Sequence, residues 1–124
     1  VSGEVIHGSH LGSTVLNMPT ANVKWPENKV FPRFGVYFTE IVTDNICYKG
    51  VTNVGLKPTV NDTEGKDILA ESYLMDFVGD LYGKHITIYF YEFCRPEEKF
   101  DGLDALKDQL QKDLHAARNY WGTR

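Results

Sequence analysis

Gly35-Val36-Tyr37-Phe38-Thr39-Glu40-Ile41-Val42-Thr43, then Asp44-Asn45, then Ile46-Cys47-Tyr48-Lys49-Gly50-Val51-Thr52-Asn53-Val54 is the stretch that decides the fold. Both arms are rich in β-branched and aromatic residues, and the Asp-Asn pair between them is a turn signal, so the pattern predicts a β-hairpin. The same grammar repeats outward from it. Val5 and Ile6 read as a short strand running into a glycine-containing loop, Gly8 to Thr14. Asp67 to Phe77 and Lys84 to Cys94 form a second pair of β-rich runs around Gly79-Asp80-Leu81-Tyr82-Gly83. From Leu103 the period changes: Leu103, Leu106, Leu110, Leu114 and Ala117 fall on one face of a helix, with Asp104, Lys107, Asp108, Gln111 and Lys112 elsewhere. Antiparallel strands with a single late helix cannot hide both faces of an open sheet. The expected fold is therefore all-β, closed into a small barrel with the helix against one side.

A chain of 124 residues suffices for one core and not for two. Its 42% hydrophobic and 24% charged residues belong to a soluble globular protein and exclude disorder or a coiled-coil rod. Thirteen Lys and Arg against seventeen Asp and Glu give a charge of −4, with no basic run to neutralise a row of phosphates, so nucleic acid is not an expected partner. No apolar run approaches the roughly 18 residues of a spanning helix, and the N-terminus lacks a signal-peptide layout. Neither a membrane nor export is expected. Cys47 and Cys94 stand alone, outside any Cys-x-x-Cys pair, which points to a reducing cytoplasm. The chain opens at Val1 rather than Met, as a module of a longer protein would.

Three segments carry candidate chemistry. In Met18-Pro19-Thr20-Ala21-Asn22 the Thr20 hydroxyl and the Asn22 amide oxygen are hard ligands two residues apart, and Mg²⁺ on nucleotide phosphates takes only one or two protein oxygens. Residue types alone favour a plain turn there, because Pro, Thr and Asn all suit turns. Gly8 and Gly12 would let backbone amides approach phosphate oxygens, in place of the absent Gly-x-x-x-x-Gly-Lys-Ser/Thr loop. Glu71, on a strand, shares a face with Leu69, Tyr73, Met75 and Phe77, where burial would raise its pKa toward that of a general base; a bulge or a solvent-facing stripe is the competing reading. Arg95-Pro96, read as a loop with Phe100 nearby, offers a planar cation and a ring to a flat heterocycle, or else is a charged linker with Phe100 stapling the helix. His7-Gly8-Ser9-His10 lacks the glycine that a nucleotidyltransferase histidine pair needs before its second His, and no cysteine stands near enough for zinc.

The order of the pieces is more specific than any one of them. A glycine loop, Pro19-Thr20-Ala21-Asn22, Asn53-Val54-Gly55-Leu56-Lys57-Pro58-Thr59, Glu71-Ser72-Tyr73-Leu74-Met75-Asp76-Phe77, Leu81-Tyr82-Gly83, Arg95-Pro96-Glu97 with Lys99-Phe100, and then the helix resemble the riboflavin kinase family over nearly the whole chain. The resemblance implies a six-stranded antiparallel Greek-key barrel with a C-terminal helix over residues 1–124. It implies a phosphotransferase with an alcohol acceptor, moving the ATP γ-phosphate to the ribityl 5′-hydroxyl of riboflavin to give FMN and ADP. By the same resemblance Thr20 and Asn22 hold Mg²⁺, or Zn²⁺ in its place, together with the nucleotide phosphates, and Glu71 is the catalytic base. Gly8 and Tyr82, with Gly12 and Thr14, fall on the nucleotide side; Arg95 and Phe100 contact the flavin. Bacterial members are often fused behind an FMN adenylyltransferase domain, so a covalently linked partner upstream of Val1 is part of the expectation.

Departures from the family pattern mark where function could change. Asn17 and Met18 replace a Gly and an apolar residue before the Pro-Thr-Ala-Asn block, Tyr73 stands where His is common, and Thr14 stands where some members carry Lys. A barrel that holds flavin without turning over ATP is the alternative these changes raise.

Overall fold

The computed structural model describes residues 1–6, 20–58, 66–77 and 79–122. Six strands, β1 (Ser2–Glu4), β2 (Thr20–Lys24), β3 (Gly35–Thr43), β4 (Ile46–Pro58), β5 (Lys66–Leu74) and β6 (His85–Arg95), precede one helix, α1 (Leu103–Gly122). They form one antiparallel sheet in the order β1-β6-β3-β4-β5-β2. Strands β3, β4 and β5 are a meander and β6 returns beside β3, which is the Greek key. Asp44 and Asn45 turn the first hairpin with φ of 53° and 63°, the paired positive values of a type I′ turn. Two register shifts between β3 and β6 bend the sheet. Ile6 then bridges to Asn22, its N–H donating to the Asn22 carbonyl at 2.8 Å, and this brings the two edges of the sheet together as a nearly closed barrel.

Strand alternation sorts the side chains into two layers. Val23, Tyr37, Ile41, Val54, Ala70, Leu74, Ile86 and Ile88 fill the barrel. On the opposite face Val36, Phe38, Val51, Tyr73 and Met75 pack under Leu110 and Ala117 of α1. Each such side chain, taken from water to full burial, contributes roughly 1.5–3 kcal/mol, so the second layer is what holds the helix down. The polar groups inside the barrel satisfy one another: the Thr39 and Thr52 hydroxyls lie 2.8 Å apart, and those of Thr52 and Ser72 2.7 Å.

Several element boundaries differ from the sequence reading. Thr20-Ala21-Asn22 opens a strand rather than forming a turn, because β5 supplies a ladder partner for each residue. Strand β1 is Ser2–Glu4, with Ile6 only in an isolated bridge. Leu103 is 56% exposed and does not join the packed face, whereas α1 runs on to Gly122 and adds Tyr120 and Trp121 to it. No helix among the described residues is long and apolar enough to cross a membrane.

The far end of α1 is tied down by a polar hub. Glu40 accepts hydrogen bonds from Lys49, from the Tyr91 hydroxyl and, at 3.0 Å, from the Cys47 thiol. Lys49 Nζ lies 4.5 Å from the Trp121 ring centroid, and Tyr91 meets the same ring edge-on at 5.0 Å. The Lys49 hydrogen bond, followed by those of Tyr91 and Cys47, holds the Glu40 carboxyl at about 2, below its ordinary 4.5. A depressed folded-state pKa contributes stability above the ordinary value and loses it as pH falls toward the depressed one. The melting temperature of wild type minus that of Glu40→Gln is therefore expected to be constant above about pH 5 and to shrink between pH 4.5 and 2. Thermal melts of both proteins across that range check this, and a pH-independent gap would refute it.

Candidate active site

In an antiparallel ladder directly opposed residues share a face and adjacent strands lie about 4.8 Å apart, so the register alone builds the site. Asn22 of β2 is opposite Glu71 of β5, and Glu71 is opposite Asn53 of β4. The row continues through Val36 of β3 to Arg95 of β6. The neighbouring row on the same face runs Thr20, Tyr73, Val51 and Phe38. Thr20, Asn22 and Glu71, distant along the chain, thus meet on one surface, at the margin of the layer that α1 covers.

Glu71 is half-buried, and the Tyr73 hydroxyl donates to its Oε1 at 3.3 Å. Tyr73 is only 5% exposed. Burial, and then the charge of Glu71 and the hydrogen bond to it, push the phenol well above its ordinary value, so it remains a donor at any working pH. Leu69, Tyr73 and Met75 share the face of Glu71 as alternation requires. Phe77 does not: Asp76 takes φ 64°, breaks the period and sends Phe77 to Tyr48 and the barrel layer.

Arg95 lies at the other end of the row, as the last residue of β6 and not on a loop. Its guanidinium grips buried Asp113 of α1 with both prongs, Nε to Oδ1 at 2.8 Å and Nη2 to Oδ2 at 2.7 Å, while Nη1 donates to the Pro96 carbonyl at 3.0 Å. Gln109 adds a donor to Asp113 Oδ1 at 3.0 Å. The cation is therefore rigid, and Asp113 raises its pKa further against the opposing effect of burial. Gly35 makes room for this strand end: its φ is 150°, and a Cβ there would stand 2.4 Å from the Arg95 carbonyl oxygen. Beyond Arg95 the chain lies on β4, where a Cβ on Gly55 would stand 1.8 Å from Glu97 Oε1.

Among the remaining expected site residues, Tyr82 is exposed beside the Ile6 end of the barrel, with its N–H on Asp80 Oδ1 at 2.9 Å and Gly83 bonded to Val5. Phe100 is half-buried in the irregular segment before α1. Gly8, Gly12 and Thr14, along with Asn17 and Met18, lie outside the described residues.

Residues 1–121 match the family described as Flavokinase, riboflavin kinase. The chain belongs to the riboflavin kinase family. The bifunctional riboflavin kinase/FMN adenylyltransferase of Pseudomonas fluorescens is 41% identical over 95% of the chain and 37% of its own length. The proteins of that name from Bacillus subtilis and Escherichia coli K12 are 36% and 38% identical, each over 98% of the chain and 38% of its own length. The riboflavin kinase domain thus spans a little over a third of these curated relatives. A solved structure titled as a macrolide-efflux protein from Streptococcus pneumoniae has a TM-score of 0.82 at 32% identity, covering 95% of this chain and 38% of that one.

Asn53, opposite Glu71, and Asp113, the partner of Arg95, were not singled out by the sequence reading. Asn53 sits in a β-rich run between Val51 and Gly55 on the outer face, and Asp113 falls three residues after Leu110, on the apolar face of the helix. A polar residue on an apolar stripe was the available signal in both cases. Removing one partner of a buried ion pair leaves the other charge uncompensated, so Asp113→Ala is expected to cost about 3–5 kcal/mol, while the joint change Arg95→Met with Asp113→Leu recovers most of it. Urea unfolding of the two variants decides the point; a wild-type midpoint for Asp113→Ala would mean that the pair does not hold the helix.

Proposed function

We propose that this domain moves the γ-phosphoryl group of ATP to the 5′-hydroxyl of riboflavin, with Glu71 as the base that receives the hydroxyl proton. The observation that carries this reading is the cross-strand pair of Asn22 with Glu71, beside Thr20 on the same face. Two hard neutral oxygens next to an acidic one suit an ion bound mainly through phosphates. Among the described residues no group of three or more His, Cys, Asp or Glu could hold a metal, and oxygen donors of this kind favour Mg²⁺ over Zn²⁺. Thr20 and Asn22 would hold the Mg²⁺, which when bound neutralises charge on the phosphate oxygens.

Phosphoryl transfer depends on positioning and electrostatics more than on covalent chemistry, and the chain's own residues supply the positioning. Tyr73 fixes one carboxylate oxygen of Glu71 and so aims the other toward an incoming hydroxyl. Arg95, held by Asp113, forms with Phe100 the flavin side of the cleft. Its use there is as a fixed plane, since two of its nitrogens are already committed to Asp113. Gly8, Gly12, Thr14 and Tyr82 belong to the nucleotide side. Because the curated relatives that the chain matches are named as bifunctional, we read the domain as the kinase module of a longer kinase/adenylyltransferase. The free thiols of Cys47 and Cys94 suit the cytoplasm.

Glu71→Gln is expected to lower FMN formation from riboflavin and Mg-ATP by on the order of a hundredfold or more while flavin binding persists. Chromatographic FMN assay and flavin fluorescence measure the two quantities. Turnover at the wild-type rate would remove Glu71 from its role, and saturable flavin binding by wild type without ADP release would make the domain a binding module. Thr20→Val keeps the shape and removes the oxygen, so the Mg²⁺ concentration for half-maximal rate is expected to rise by at least about tenfold. An unchanged Mg²⁺ titration would take Thr20 out of the metal site.

A further inference from the structure

Three buried polar side-chain atoms find no hydrogen-bond partner among the described residues: Trp25 Nε1, Asn53 Oδ1 and Trp121 Nε1. Only Asn53 lies in the row that holds the base. An orphaned buried acceptor costs about 1–3 kcal/mol, and a folded protein that keeps one at a site has a use for it. The use follows from what stands on either side. Glu71 is one strand away, about 4.8 Å, and an ionised carboxylate only accepts, so it cannot satisfy another acceptor. Phosphate oxygens accept as well. A hydroxyl brought in by a ligand would supply the donor that neither neighbour can give.

We propose that Asn53 contacts the substrate, its side-chain oxygen accepting a hydrogen bond from a hydroxyl of the polyol arm. This rests on the reading of Glu71 as base for the terminal hydroxyl of that arm. From Asn22 on the phosphate side, the row passes Glu71, Asn53 and Val36 and ends at Arg95. Val36 is covered by α1, so a substrate whose terminal hydroxyl meets Glu71 lays its next hydroxyls over the neighbouring strand, β4, short of the helix. Asn53 is the residue of β4 in that row, and its side-chain oxygen is buried without a donor among the described residues. The site would then recognise the polyol as well as the ring.

The test compares riboflavin with the same ring system carrying a methyl group in place of the polyol arm. Binding of each to wild type, Asn53→Leu and Asn53→Ala is followed by flavin fluorescence in the presence of Mg-ADP, with thermal melts confirming the fold. Wild type is expected to bind riboflavin more tightly than the methyl analogue. Either variant should weaken riboflavin by about fivefold to tenfold, leave the analogue unchanged, and raise the KM for riboflavin without moving the Mg²⁺ titration. Equal affinity of wild type for the two ligands overturns the proposal without recourse to a variant. So does an unchanged riboflavin affinity in the variants, a parallel loss for both ligands, or a shifted Mg²⁺ requirement, which would make Asn53 a metal ligand instead. Wild type that binds riboflavin but forms no FMN would count against the kinase reading alone, because the binding comparison still reports on Asn53.

Discussion

Everything the site does depends on the register of β2 against β5. Side chains alternate with period two, so a slip of one residue between these strands would turn Asn22 and Thr20 into the barrel and bring Ala21 and Val23 out. The slip is opposed by burial: Ala21 and Val23 are 0% and 1% exposed in the barrel, and Ala70, Ser72 and Leu74 on β5 are all 0%. Apolar packing inside therefore fixes the polar geometry outside. The Ile6–Asn22 bridge adds a hydrogen bond on the opposite side of β2, so both edges of this short strand are held.

The helix has a matching constraint. Its apolar face covers Phe38, Val51, Tyr73 and Met75, and non-directional packing of that kind does not by itself set where along the face it stops. The two polar anchors do. Near its middle Asp113 takes both prongs of Arg95, and near its end Trp121 stacks over Lys49 and against Tyr91 around Glu40. With the helix so fixed, the Tyr73 row lies beneath it, and Glu71 and Asn53, one row along, stay only part-buried. The role proposed for Glu71 needs that compromise, since full burial would exclude substrate and full exposure would leave its carboxylate unaimed.

The fold class, the first hairpin down to its Asp44-Asn45 turn, and the single late helix were legible because alternation and helical period are local signals. The meeting of Thr20, Asn22 and Glu71 was not, because strand register is a long-range property; the order of motifs, through its resemblance to a family, supplied it. Residue types placed Thr20-Ala21-Asn22 in a turn because propensity reads Pro, Thr and Asn without the ladder partner that β5 provides. Arg95 was read as a free cation for want of Asp113, whose partner lies on another element. Asp76 was passed over because a positive φ on a non-glycine residue leaves no mark in a hydrophobicity pattern.

The two faces of the same three strands show how polar groups divide between structure and function. Inside, Ser72, Thr52 and Thr39 on β5, β4 and β3 join their hydroxyls in a chain with every member partnered. Outside, one residue along on β5 and β4, Glu71 and Asn53 are half-buried, and the oxygen of Asn53 has no donor among the described residues. Both arrangements bury polar atoms, at a cost that is offset only when a partner arrives. In the barrel the partner is the neighbouring strand, present as soon as the chain folds. If, as proposed, the missing partner on the outer face comes with the ligand, a site that recovers this cost only on binding discriminates between a substrate that carries the donor and an analogue that lacks it.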